Sequence, residues 1–349
     1  MNLRGLLSGS KSRRRSLYWA VAFLLAAVLL YFSLRGLDWR HVWLTLSHAR
    51  PAYVALWIAL GFVTLFLRAL RWRILLRSAA PVAVSTAFWA TAAGYFGNNY
   101  LPARAGELIR SVMVSAQSGL TKTLVLTTAL AERMSDAVAL VLISSLVLLA
   151  LPSPPGWFAR AARPFAAIGL CGALAIGVAP KLERLWTRVL ARMPVPDRIK
   201  EKLSAALLQI LTGMRAFHSA RRLLAFAAFT AVIWLGDAVA AVVGAYALHL
   251  HLALPVAFLL VAGLGLGSAL PATPGYVGIY QFVAVSVLDP FGWNKSDAIA
   301  FILLSQALQY VGTAFWGLLA FAQAHRIGVN SAAVAAEAGP DTASTGIPN

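Results

Sequence analysis

Gly94-Tyr95-Phe96-Gly97-Asn98-Asn99-Tyr100-Leu101-Pro102-Ala103-Arg104-Ala105-Gly106-Glu107-Leu108-Ile109-Arg110 is the stretch that decides how this chain folds. It sets three glycines, a proline, two asparagines and three charges between long apolar walls. In hydrocarbon every backbone N–H and C=O must find a partner within the protein. Interrupted helix is tolerated at that depth only where protein buries it or where it lines a cavity. Residues 82–121 are therefore read as a re-entrant hairpin that dips into a membrane and returns to the same side.

The composition agrees. Of 349 residues, 60% are apolar and 12% charged, against about 25% charged in an ordinary soluble domain. So little charge cannot coat a globule, so most of the outer surface must face lipid. The apolar runs are continuous rather than alternating, which selects helices over a barrel. The net charge of +18 lies in short blocks between those runs, the pattern of cytoplasmic membrane flanks, and this sets nucleic-acid binding aside. The one cysteine, Cys171, sits in an apolar run, so no disulfide within the chain is available. No metal site, cofactor motif or soluble-type catalytic motif is indicated.

Outward from the hairpin, Lys11, Arg13, Arg14 and Arg15 precede an apolar run at 17–34 that no small-residue cleavage site follows. Residues 1–16 are read as a basic cytoplasmic N-terminus and 17–34 as an uncleaved first span. A second span, 52–70, ends in Arg68, Arg71, Arg73 and Arg77, read as a cytoplasmic flank. Further spans are 123–151, 164–180, 223–248 and 298–322. Segment 181–222 carries ten Lys or Arg against Glu183, Asp197 and Glu201. Its apolar residues recur at helical spacing, so it is read as an amphipathic cytoplasmic helix lying on anionic lipid. Four spans precede that segment, so the first hairpin adds no crossing. By the same parity, 254–288 is a second hairpin from the outer side. The expected fold is an all-α polytopic protein of a bacterial-type inner membrane: about six full transmembrane helices plus two re-entrant hairpins, within residues 17–325. Both termini are cytoplasmic, and the tail at 326–349 is expected to be disordered.

The hairpins share text. Leu101-Pro102-Ala103-x-x-Gly106 returns as Leu270-Pro271-Ala272-x-x-Gly275, 169 residues later. Two readings stand: coincidence in a chain rich in these residues, or an inverted repeat, which places transport sites at the midplane between broken helices.

Ionisable residues cost at least ~2.5–3.5 kcal/mol each in the bilayer core and face the protein interior, usually on a functional pathway. Arg104, Glu107, Arg110, Glu132, Arg133, Asp136 and Asp237 fall there. Glu132 and Asp136, four apart, share a helix face and need a cation between them. Arg104 and Arg110 on the hairpin can supply it, either as buried glue or as a phosphate-binding fork. Helix starts after Pro102 and Pro274 would add N–H donors for an anion. Asn98, Asn99, Thr273 and Gln281 are candidates for a polar head group. Asp237 stands alone in its span, with pairing and proton coupling both open.

Three patterns in order, Asn99-x-Leu101-Pro102-Ala103-Arg104-x-Gly106-Glu107-x-x-Arg110, Glu132-Arg133-x-x-Asp136 and Pro271-x-x-Pro274-Gly275-x-x-Gly278, resemble the lysylphosphatidylglycerol synthase transmembrane-domain family, also called flippase-like. The likeness covers roughly residues 15–325. It implies a membrane part that moves aminoacylated phospholipid between leaflets, and a substrate site that includes Gly275 and Gly278. In multiple peptide resistance factors such a domain precedes a cytosolic aminoacyl-transferase. No such domain is expected in this chain, so lysyl transfer is not. The second pattern departs from the family: Tyr276 replaces a glycine and Gln281 replaces a glutamate. A neutral or sugar-bearing head group is then more compatible than a dicationic one.

The leading expectation is a translocator of a phospholipid or lipid-linked head group. The alternatives are a membrane transferase on a lipid-linked substrate, with Glu107, Glu132 or Asp136 as base, and a non-transporting partner of a lipid-synthesis complex docking through 181–222.

Overall fold

The structure, a computed structural model, describes residues 23–101, 105–151, 156–178, 188, 200–201, 203–204, 213, 215–270 and 274–326. Its regular elements are helical. In chain order they are α1 (Phe23–Leu34), α2 (Trp39–Ser47), α3 (Pro51–Leu76), α4 (Val84–Tyr100), α5 (Gly106–Ser118), α6 (Lys122–Ala150), α7 (Gly156–Val178), α8 (Ala220–Ala247), α9 (Leu254–Gly267), α10 (Ile279–Leu288) and α11 (Lys295–Arg326). Of these, α3, α6, α8 and α11 are long and apolar enough to cross a membrane. Large apolar side chains such as Ile58, Val63, Leu146, Ile168, Leu224, Val311 and Leu318 stand exposed on the long helices. A soluble protein rarely presents that much apolar surface. The chain is a multi-pass α-helical membrane protein.

The helix ends mark two faces. The backbone N–H of Arg50, before α3, donates to the Ala247 carbonyl at the end of α8 at 2.8 Å. Farther along, Arg71 meets Thr230 and a Cβ on Gly244 would strike Trp57, so α3 and α8 run antiparallel. Lys295 opens α11 beside the end of α1, its Nζ donating to the Phe32 and Arg35 carbonyls at 2.8 and 2.7 Å. This Lys295 face also carries α2, a short helix that the sequence reading missed. The Asp38 side chain caps it by accepting from the His41 N–H, and His41 pairs with Asp297 of α11 at 2.7 Å. The opposite, Arg77 face holds the end of α3 and the start of α8. Helix α7 lies antiparallel along α6, with Gly169 against Leu142 and Gly172 against Val138. Cys171 is exposed on it.

Helices α4 and α5 form the first hairpin. Arg73 donates from Nε to the Val82 carbonyl at 2.6 Å, fixing the start of α4 at the Arg77 face. From there α4 runs about 25 Å at 1.5 Å per residue and turns back as α5. The two helices close on glycine: a Cβ on Gly106 would lie 1.8 Å from the Gly94 carbonyl oxygen. Helices α9 and α10 form the second hairpin, starting from the Lys295 face.

An offset of 169 residues carries α3 onto α8, α4 onto α9, α5 onto α10 and α6 onto α11, to within about four residues at each end, except that α11 runs seven residues farther. The packing obeys the same exchange. Helix α3 packs on α8, while α4 packs on α11 and α9 on α6. With α3 and α8 antiparallel, the halves are related by a two-fold axis lying across the bundle, which is an inverted repeat. One apolar cluster surrounds each hairpin: Trp72, Ala93, Ile109 and Met113 at the first, Leu260, Ala284, Leu288 and Ile299 at the second. Of the expected tail 326–349, Arg326 ends α11; the rest of it and most of the basic segment 181–222 lie outside the described residues.

Candidate functional site

The hairpin tips meet at the middle of α11. Tyr100 at the end of α4 donates from its hydroxyl to the Tyr310 carbonyl at 2.8 Å, and Asn99 Nδ2 donates to Thr313 Oγ1 at 3.1 Å. From the other hairpin, the Gly275 carbonyl accepts from Gln306 Nε2 at 3.0 Å. Gln281 Nε2 donates to Gln306 Oε1, and Gln281 Oε1 accepts from the Gly278 N–H at 2.8 Å. Helix α4 touches the Pro274–Tyr276 turn directly. Gly275 has φ +70°, and a Cβ there would overlap the Tyr310 ring. Only glycine takes that backbone without strain and leaves room for the tyrosine.

Beside this junction lies a network of ion pairs. Arg71 grips both oxygens of Asp136, at 2.6 and 2.9 Å, and Glu132 Oε1 at 2.9 Å. Arg110 holds Glu132 Oε2 at 2.9 Å. Arg110 Nε also lies 2.6 Å from Glu107 Oε2, though its N–H does not point along that line. Arg133 donates to Glu107 Oε1 at 2.9 Å, and Arg68 pairs with Asp237. Arg71, Arg110, Glu132 and Asp136 are all 5% exposed or less. The guanidiniums lie over rings, Arg110 on Trp72 at 4.4 Å and Arg71 on Phe226 at 5.1 Å, contacts that gain strength where water is excluded. Arg68, Arg71, Arg110 and Arg133 balance Glu107, Glu132, Asp136 and Asp237, so the paired set is neutral. Arg110 Nη2 and Arg71 Nε are buried with no hydrogen-bond partner among the described residues.

Several expectations change. The arginine between Glu132 and Asp136 is Arg71, read from the sequence as part of a cytoplasmic flank. The apolar Ile74-Leu75-Leu76 that follows it was the overlooked sign: α3 continues to Leu76 and draws Arg68 and Arg71 inside. Arg110 does reach Glu132 as expected. Arg104 and Thr273 lie outside the described residues. Asp237 is not alone, because Arg68 answers it. At each helix start one N–H is already taken within the hairpin: Asn98 Oδ1 accepts from Gly106 N at 3.1 Å, and Gln281 Oε1 from Gly278 N at 2.8 Å. Asn99 and Gln281 each tie their own hairpin tip to α11 in this state, and Gly278 packs against the Ala26 backbone.

The charge does not follow the fold's symmetry. The positions 169 residues after Arg71, Glu107, Arg110, Glu132, Arg133 and Asp136 are Ala240, Tyr276, Ile279, Phe301, Ile302 and Ser305. Apart from Arg68 and Asp237, which occupy corresponding positions, the buried ion pairs lie in one half and the matching positions of the other half are neutral.

The chain matches the family described as "Lysylphosphatidylglycerol synthase TM region" over residues 19–317. Among curated proteins it is similar to "Glycosyltransferase AglD" of Haloferax volcanii, 25% identical over 309 residues, covering 78% of this chain and 49% of that one. The chain thus spans about half the length of the curated relative it matches. No solved structure matches it. The family match takes in both hairpins and every residue of the ionic network, and the chain belongs to the lysylphosphatidylglycerol synthase TM region family.

Proposed function

We propose that this protein carries the phosphate-bearing head group of a phospholipid or lipid-linked sugar between leaflets. The observation that supports this reading best is the meeting of two oppositely directed broken hairpins at the middle of α11, beside a buried and fully paired ionic network. Backbone of this kind at bilayer depth suits a polar path. Within the network, Arg110 is the counter-charge. A phosphate that takes the open Nη2 of Arg110 and displaces Glu107 from its Nε finds a planar donor fork already oriented by Trp72. Glu107 then keeps Arg133 as its partner, so no carboxylate is stranded. Arg104, Asn99, Thr273, Gly275, Gly278 and Gln281 are proposed as the further lining. The neutral positions that answer the network in the second half suit a sugar or other uncharged head group. By the bias of basic residues toward the cytoplasm, the Arg77 face is proposed as cytoplasmic and the membrane as a bacterial-type inner membrane.

The test is head-group accessibility in vesicles reconstituted with the full chain and a trace of fluorescent phosphatidylglycerol. A membrane-impermeant quencher should reach nearly all of the probe with wild-type protein, about half in empty vesicles, and about half with Arg110→Gln. Equal quenching in protein-containing and empty vesicles would sink the proposal.

A second reading, a transferase acting on a lipid-linked sugar, is supported by the name of the Haloferax relative. In this state each buried carboxylate is held by an arginine, which leaves none poised as a base, so it ranks below translocation. Sugar transfer from a labelled nucleotide donor, lost in Glu132→Gln, would reverse that ranking.

A further inference from the structure

A cavity of about 580 Å³ opens where α3 ends and α8 begins. Arg73 and Arg77 line it from the last turn of α3 and just beyond, Arg221 and Arg222 from the first turn of α8, and Leu70 and Ile74 form an apolar wall. Among the described residues no carboxylate lines it, and none of the four arginines pairs with one. Arg73 is tied back through Nε to the Val82 carbonyl, which leaves the rest of its guanidinium open. Ser219, also in the lining, does not cap α8 with its side chain. The positive end of a 28-residue helix therefore adds to the four guanidiniums.

Four cations around one cavity repel one another unless an anion sits between them. Arginine forks match phosphate oxygens two at a time, and a helix start supplies further N–H donors. This is a different location from the buried network, whose arginines are already matched by carboxylates. Here, among the described residues, no carboxylate answers the charge, and the cavity is open to the surface. The apolar wall suits an acyl chain leaving the head group, and the cavity adjoins the point where the first hairpin begins.

We infer that this cavity is a seat for a phosphate group presented at the membrane surface, held by Arg73, Arg77, Arg221 and Arg222. The phosphate is either the diester of an anionic lipid or a soluble phosphate. The seat stands whether or not the protein translocates lipid, because it rests on a separate set of residues.

The experiment measures thermal unfolding of the full chain in neutral detergent, in two arms. In one, dioleoylphosphatidylglycerol is titrated against dioleoylphosphatidylcholine. In the other, inorganic phosphate is titrated against chloride at equal ionic strength. The expected result is a midpoint raised by several degrees with phosphatidylglycerol and not with phosphatidylcholine. In R221Q/R222Q, and separately in the surface variant R77Q, at least tenfold more lipid should be needed. R160Q/R163Q, which removes two exposed arginines from α7, should respond as wild type does. A shift from inorganic phosphate alone supports the seat and identifies its source as soluble. No shift in either arm, or shifts of equal size in R221Q/R222Q and wild type, overturns it. R77Q keeps the test valid if the double variant does not fold.

Discussion

Arg71 joins three elements, taking Asp136 and Glu132 from α6 and Thr230 from α8 while lying on the ring of Phe226. Removing one member of a buried ion pair leaves the other charged and unmatched, at a cost of about 3–5 kcal/mol, whereas removing both together is far milder. Arg71→Gln should therefore lower the unfolding midpoint in detergent sharply. R71M/D136L should recover more than half of that loss, because Glu132 keeps Arg110. If the double variant were as unstable as the single one, the pair would not be what joins α3 to α6. Most of this network was legible from residue type alone. Glu132 and Asp136 at helical spacing inside an apolar run demand an arginine. Which arginine answers depends on how deep each sits, and depth depends on where α3 stops.

At the scale of elements, the hairpins depend on close approach. Gly106 has no room for a Cβ against the Gly94 carbonyl, whereas Gly61, on the open side of α3, meets nothing within 4 Å. Gly106→Ala should splay α4 from α5, with a clear drop in folded yield and unfolding midpoint. Gly61→Ala should be neutral or stabilising by roughly 0.5–1 kcal/mol, since it only removes chain freedom within a helix. Indistinguishable variants would mean that hairpin closure contributes little. The existence of both hairpins was legible because glycine, proline and charge interrupt otherwise apolar runs. Their inner hydrogen bonds were not. Asn98 and Gln281 looked available for a ligand, yet each satisfies a backbone N–H of its own hairpin, a local competition that residue type does not announce.

Over the whole molecule, Arg68 and Asp237 occupy corresponding positions, 169 residues apart, where α3 and α8 cross. Corresponding positions beside a two-fold axis have similar surroundings, so the two residues should exchange. R68D and D237R should each destabilise the protein, and R68D/D237R should restore most of the loss in a double-mutant cycle. No recovery would argue against the symmetry. The two faces admit a second check in a C171S background. A cysteine placed at Ala79 should label with an impermeant reagent from one side of the membrane only. Cysteines at Ser47 and Asn294 should label only from the other. Labelling of all three from one side would refute the inverted arrangement.

What the amino-acid order determined by itself is the solvent and the interruptions. Lack of charge requires lipid contact, continuous apolar runs require helices, and broken runs at that depth require shelter. These follow from local composition and the energetics of unpaired polar groups. What only the tertiary structure decided is partnership: Arg71 for Asp136, Arg68 for Asp237, and the gathering of most of the buried ion pairs in one half of the fold. Such pairs lie 60 to 170 residues apart. Their choice is made by the packing of whole helices, which no short stretch of sequence contains.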